Sequence, residues 1–248
     1  MFTRIFRRLA LLIAPPLALV VIAACVLAPA LPQTGQIAFS ASLGDAETLY
    51  LMDVTHDLAH PLARDAFAAR LPGWSTDGAR IAYADSLGSI FNDTVFVHDI
   101  AAHDVTPLPE RPDGAGQVTE PPVWSPGADA LVVSYAPGRE IGQRDVRLVH
   151  YQDDRPSVDS LPLPSTRANN HALRWLPDGR LIYVLVENDR VRLDEIDLAN
   201  LEIHSLQAWD FDVTSTWQPV IAPDGDKFVI SAVRPNALTS DLYLFQRD

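Results

Sequence analysis

The chain has 248 residues, 48% of them hydrophobic and 21% charged, which is enough to bury a sizeable core and excludes a disordered tail. Its 20 prolines exclude an all-helical bundle, because proline removes a backbone donor and breaks helix interiors. Three of the 19 Lys+Arg (Arg4, Arg7 and Arg8) precede every acidic residue, so the remainder sets 16 basic against 32 acidic groups; such a surface repels phosphate backbones, and no nucleic-acid partner is expected.

In chain order, the basic start is followed by an uncharged, mostly apolar run from Leu9 to Pro32, the pattern of an export signal or membrane anchor. The run is long enough to span a hydrocarbon core. The positive-inside rule would leave the arginines in the cytoplasm and everything after the run outside it. The only cysteine lies within this run, in Ile22-Ala23-Ala24-Cys25. That tetrapeptide resembles the lipobox of bacterial lipoproteins and makes Cys25 a candidate lipid attachment site. An uncleaved signal anchor, or cleavage after Ala30, remains open beside it. Residues 1–35 are therefore read as signal peptide or membrane anchor, and 36–248 as the folded domain. A single cysteine allows no internal disulfide, so packing must hold the fold.

An internal repeat occupies the rest. Trp74, Trp124 and Trp175 are separated by 50 and 51 residues. Pro72-Gly73-Trp74-Ser75-Thr76-Asp77-Gly78 returns as Pro122-Val123-Trp124-Ser125-Pro126-Gly127 and as Leu173-Arg174-Trp175-Leu176-Pro177-Asp178-Gly179. A fourth copy, Pro219-Val220-Ile221-Ala222-Pro223-Asp224-Gly225, has Ile in place of Trp. After each copy comes a β-type run such as Arg80 to Ala84 or Arg180 to Val184, and Gln36 to Ser40 opens the domain without a copy before it; each is followed by a second run, ending at Asp53, Asp99, Tyr151, Asp197 or Gln246. Pro-Asp-Gly between β runs signals a tight turn, with Gly accepting positive φ. Runs of four to six β-branched and aromatic residues suit strands rather than helices. Each unit is thus about four short antiparallel strands, and sheets of this size must stack on one another to bury both faces.

The repeated Trp-Ser-Pro-Asp-Gly turn, the Ile-Ala-Phe/Tyr strand and the strand ending in Asp resemble the WD-like repeat of TolB-type β-propellers. The resemblance covers about residues 36 to 248. It implies an all-β propeller of four-stranded antiparallel blades, five by count, preceded by the apolar membrane segment. The count is 18 strands: the first blade lacks its inner strand and the last its outer one. Residues 26 to 35 could supply an edge strand to the last blade, and 209 to 217 an extra piece. TolB itself joins an α/β domain to its propeller and works in envelope integrity; that domain is missing here.

Enzyme signatures are absent: no P-loop, GxGxxG, HExxH, CxxC or Gly-x-Ser-x-Gly occurs. No catalytic residue, cofactor or metal is expected. Asp77, Asp178 and Asp224, with Gly78, Gly179 and Gly225, are read as turn residues rather than metal ligands. The tryptophans are read as inter-blade packing. Propellers bind at loops around the channel. Two long segments, Ser86 to Asp93 and Ala136 to Arg144, join equivalent strands in successive blades and should share one face. Phe91, Asn92, Arg139, Glu140, Ile141 and Arg144 are the candidate binding residues there. The expected function is a membrane-tethered, extracytoplasmic scaffold for a protein, peptide or envelope component. The alternatives are an accessory propeller of a prolyl oligopeptidase-type system, since the chain ends with no room for a hydrolase domain, or a propeller hydrolase or lyase with a channel site.

Overall fold

The computed structural model describes residues 35–43, 46–62, 68–86, 93–109, 116–137, 145–152, 155–161, 171–187, 190–212, 215–216, 220–222, 224–233 and 237–246. Among these the chain forms five antiparallel sheets, following one another in sequence. The first is β1 (Gln36–Leu43), β2 (Ala46–Asp53) and β3 (Leu58–Pro61). The second is β4 (Arg70–Trp74), β5 (Arg80–Asp85), β6 (Thr94–Asp99) and β7 (Asp104–Pro107). In the third, β8 (Gly116–Val118) and β9 (Val123–Trp124) both pair with β10 (Ala130–Pro137), followed by β11 (Asp145–Gln152) and β12 (Arg155–Ser160). The fourth is β13 (His171–Trp175), β14 (Leu181–Glu187), β15 (Arg190–Asp197) and β16 (Glu202–Asp212). In the fifth, β17 (Ser215–Thr216) and β18 (Val220–Ile221) share one edge of β19 (Lys227–Val233), and β20 (Asp241–Gln246) takes the other.

The described residues hold 20 strands against the 18 read from sequence, because two short strands share one edge of β10 in the third sheet and of β19 in the fifth. In the third sheet the break falls at Pro121-Pro122, which have no N–H to give to the β10 ladder. The fourth strand of the fourth sheet, β16, runs past the expected Ser205-Leu206 to Asp212, with register shifts against β15 that absorb the extra residues. Residues 26 to 34 lie outside the described residues, as do Cys25 and the whole apolar run. Among the described residues no helix is long and apolar enough to cross a membrane.

Burial explains why the sheets stack in series. Strand β5 is buried on both faces: Ile81 and Tyr83 join Leu49 and Leu51 of the first sheet, while Ala82 and Ala84 join Trp124 and Leu131 of the third. The alternation repeats in β14, where Leu181, Tyr183 and Leu185 face Val132 and Leu148. On its other face, Ile182 and Val184 meet Phe228 and Ile230. A strand with both faces covered reads as a continuous apolar run, and each fully buried Leu or Ile contributes about 1.5–3 kcal/mol.

The turns after the tryptophans are built alike. The N–H of Gly78, Gly179 or Gly225 donates to the carbonyl three residues before it, at 3.0, 3.0 and 2.8 Å, with φ of 72°, 86° and 79°. In the third sheet Ala128, not Gly127, takes this place, with φ 56° and a 3.0 Å bond to Ser125 O. Counted from the tryptophan, Ala128 holds the place of Gly78 and Gly127 that of Asp77, and the turn carboxylate moves to Asp129, which accepts the Ser125 hydroxyl at 2.7 Å. Asp77 accepts Ala79 N–H at 3.0 Å and the Ser75 hydroxyl at 2.5 Å, and these bonds hold its pKa below the ordinary carboxylate value. A methyl group on Gly78 would meet nothing within 4 Å, so Gly78→Ala tests the backbone alone. It is expected to cost about 1 kcal/mol and to lower Tm by roughly 2–4 °C in a thermal melt.

Candidate functional site at the loop-bearing end of the sheets

The antiparallel order gives the stack two unlike ends. At one lie the short turns, 75–79, 100–103, 125–129, 176–180 and 198–201. From the other leave the long connections that span 87–92, 110–115, 138–144 and 162–170, themselves outside the described residues, along with the short ones 44–45 and 188–189. Both candidate binding segments belong to this loop end, since each joins the second and third strands of its sheet. Phe91, Asn92, Arg139, Glu140, Ile141 and Arg144 themselves lie outside the described residues; the flanking Ser86, Asp93, Ala136 and Asp145 do not.

The turn end is tied together sheet to sheet. Trp124 Nε1 donates to Gly73 O at 3.2 Å, and Trp175 Nε1 to Val123 O at 2.9 Å, so each indole reaches the residue before the tryptophan of the preceding sheet. The Thr76 hydroxyl lies 2.9 Å from Ser125 O and 3.0 Å from Pro126 O. Arg80 donates to Ala128 O at 2.8 Å, and its guanidinium lies over the rings of Trp124 and Tyr151, 4.9 and 5.2 Å from their centroids. Desolvation pushes the Tyr151 phenol well above its ordinary pKa. Polar groups at this end are thus largely engaged in joining sheets and closing turns.

The loop end carries buried charge. Arg70 opens β4, four residues before Trp74; Glu120 stands four before Trp124, and His171 holds the same register before Trp175. Asp93, with its side chain 1% exposed, accepts Arg70 Nη2 at 2.5 Å and Val118 N–H at 2.6 Å on the same oxygen, Oδ2. Arg70 Nη1 donates to Val118 O at 3.0 Å. The pair from the second sheet therefore grips both ends of one residue's backbone in β8 of the third. Asp93 Oδ1 is buried and has no partner among the described residues. Desolvation dominates and raises the Asp93 pKa, against the lowering pull of Val118 N–H and Arg70. Next to it Asp85, also buried, accepts Ala68 N–H at 3.0 Å.

The third and fourth sheets add further groups. Arg147 Nε bonds Asp145 at 2.8 Å at the start of β11. Arg174 precedes Trp175 on β13 and donates to Leu173 O at 2.8 Å; burial lowers its pKa and Glu120 opposes that shift. On β15, Arg192 Nε reaches both oxygens of the fully buried Asp194 at 2.7 and 2.8 Å, and Tyr183 OH donates to Oδ2 at 3.1 Å. Among the described residues no three His, Cys, Asp or Glu side chains gather as a metal would need. What the arrangement offers is guanidinium donors and carboxylate acceptors set among backbone groups, a chemistry suited to peptide groups and charged side chains. Sequence reading passed over Arg70, Glu120 and Arg174 and took Asp93 only as the end of a candidate loop. The recurrent place four residues before each tryptophan was the available signal for two of them.

No family model matches the chain, and no curated protein sequence does. Solved structures do. The TolB of Acinetobacter baumannii superposes with a TM-score of 0.61 at 14% identity, over 91% of this chain and 54% of that one. A puromycin-hydrolyzing peptidase of Mycobacterium tuberculosis gives 0.63 at 12% identity, over 86% of this chain and 37% of that one. Dipeptidyl peptidase 4 of Porphyromonas gingivalis gives 0.57 at 12% identity, over 85% of this chain and 36% of that one. The fold is that of a TolB-like β-propeller. The chain spans about half the length of the TolB it matches.

Proposed function

We propose that this protein is a membrane-tethered, extracytoplasmic β-propeller that binds a protein, peptide or cell-envelope component at its loop end and performs no chemistry on it. The observation that carries the reading is the contrast between the two ends. The turn end spends its indoles, hydroxyls and Arg80 on joining sheets, whereas the strand ends from which the long connections leave carry Arg70, Asp93 and Glu120. Rigid scaffolds with long loops at one end are the usual arrangement of binding surfaces. The arginine-rich start and the apolar run to Pro32 support export and tethering, with Cys25 as the lipid-bearing residue if the lipobox is used.

A second reading is favoured by the likeness to two peptidases: a propeller that serves a separate peptidase as its accessory. Both readings meet one experiment, in which full-length protein purified from membranes is used to capture partners from an envelope extract. Glu120→Lys at the loop end is compared with Asp129→Lys at the exposed turn end. The scaffold reading expects a stoichiometric partner lost by at least about tenfold in Glu120→Lys and kept in Asp129→Lys. Equal loss in both, or turnover of substrate by the purified protein alone, overturns it. A captured peptidase selects the accessory reading. Mass spectrometry of the same preparation reads the N-terminus, lipidated at Cys25 or intact at Met1.

A further inference from the structure

We infer that mild acid loosens the first sheet from the second through protonation of His98. This residue lies on β6, directly opposite Ile81 of β5 and Val105 of β7. Ile81 and Phe96, the latter two residues before His98 on the same face, belong to the apolar cluster that joins the first two sheets through Leu49 and Leu51 of β2. His98 is 6% exposed, and among the described residues neither Nδ1 nor Nε2 has a hydrogen-bond partner. A neutral imidazole carries one donor and one acceptor, and here both go unmet. The imidazolium would place a full charge and two unmet donors in the same apolar seam, at far greater cost.

The neighbouring charges do not reverse this. Asp99, next to it on β6, and Asp104 of β7 favour the cation, and His103 in the turn between them opposes it. From β5 the facing group is Ile81, with Arg80 opposite Asp99 one position along; from β2 the seam receives Leu49 and Leu51. Burial is the largest influence and holds the imidazole below its ordinary 6.5. The sign follows: an opened seam, with His98 hydrated, binds the proton more readily than the closed one. The contribution to closure is therefore complete above about pH 6.5, declines as pH falls toward the lowered pKa, and is constant below it. The first sheet is the part expected to respond, because among the described residues the apolar cluster around His98 joins it to the second; in sequence it also follows the N-terminal apolar run.

Hydrogen exchange of the full-length protein in detergent, corrected for intrinsic rates, is the test. Between pH 7.5 and 5, protection of the β1–β3 amides is expected to fall by up to about tenfold per pH unit, with β13–β16 holding theirs. His98→Leu, and His98→Gln should the leucine variant not fold, is expected to remove the pH dependence. An NMR titration of His98 in the wild type supplies an independent reading. A pKa at or above 6.5, unchanged β1–β3 protection on acidification, loss spread evenly over all sheets, or the same loss in the variants would each overturn the inference.

Discussion

Gly73→Ala is expected to destabilise the protein by about 3 kcal/mol, lowering Tm by roughly 6–12 °C. Gly73 sits on β4 within a register shift against β5, beside Leu71 at φ 57°. A methyl group built there would lie 2.2 Å from Pro122 O and 3.3 Å from Pro122 C, both backbone atoms that no rotamer change can move aside. Relief requires β4 to separate from the segment leading into β9. That movement pulls Gly73 O away from Trp124 Nε1 and opens the seam that now leaves Trp124 only 4% exposed. Overpacking, a lost indole bond and hydration of an aromatic ring then act together. The corresponding positions in the next two sheets hold Val123 and Arg174, so the requirement is not a property of the repeat but of this one approach between strands. Comparison with Gly78→Ala separates the causes, since Gly78 has a positive φ and open space. Urea denaturation showing Gly73→Ala no more costly than Gly78→Ala would refute the close-approach account.

That contrast shows which parts of the molecule are readable from residues alone. The turns are local: Ser75, Asp77 and Gly78 satisfy one another within six residues, so their spacing announces the unit each time it recurs. Double burial of β5 and β14 is equally visible, since both read as unbroken apolar runs. The double proline at 121–122 was a visible cause for the break between β8 and β9, yet a count of apolar runs passes over it. Ala128 escaped for another reason. Its turn keeps the geometry while shifting the carboxylate to Asp129, and a motif match follows residue types rather than φ. The place of Arg70 and Glu120 before the tryptophans was legible, but their partners were not, because these come from the stacking: Asp93 is 25 residues from Val118 and 23 from Arg70, and Arg70 is 48 from Val118. No local period encodes such distances. The nitrogens of His98 belong to the same class, since only the packed seam shows that no described residue hydrogen-bonds them.

Arg70→Met is expected to cost about 3 kcal/mol at pH 8, by removing the cation beside a carboxylate that cannot turn to water. Asp93 keeps Val118 N–H in the variant, but Oδ1 is already without a partner, so the remaining charge is left poorly compensated. The protein's remedy is to protonate it. Desolvation already raises the Asp93 pKa with Arg70 in place, and loss of the guanidinium removes two of the influences that lower it. A folded-state pKa above the unfolded value means that the penalty is present above the folded pKa and is relieved as pH falls through it. The deficit of Arg70→Met relative to wild type should therefore shrink between pH 8 and pH 5, opposite in direction to the effect assigned to His98. Asp93→Asn removes the charge at its source, and the double variant should recover part of the loss, giving a coupling of at least about 1.5 kcal/mol in a double-mutant cycle. Exchange of the Val118 amide provides a local reading, because that N–H and its carbonyl are the groups the pair holds. Additive losses, or an Arg70→Met deficit that does not vary with pH, would mean that Arg70 acts by packing its stem rather than by compensating Asp93.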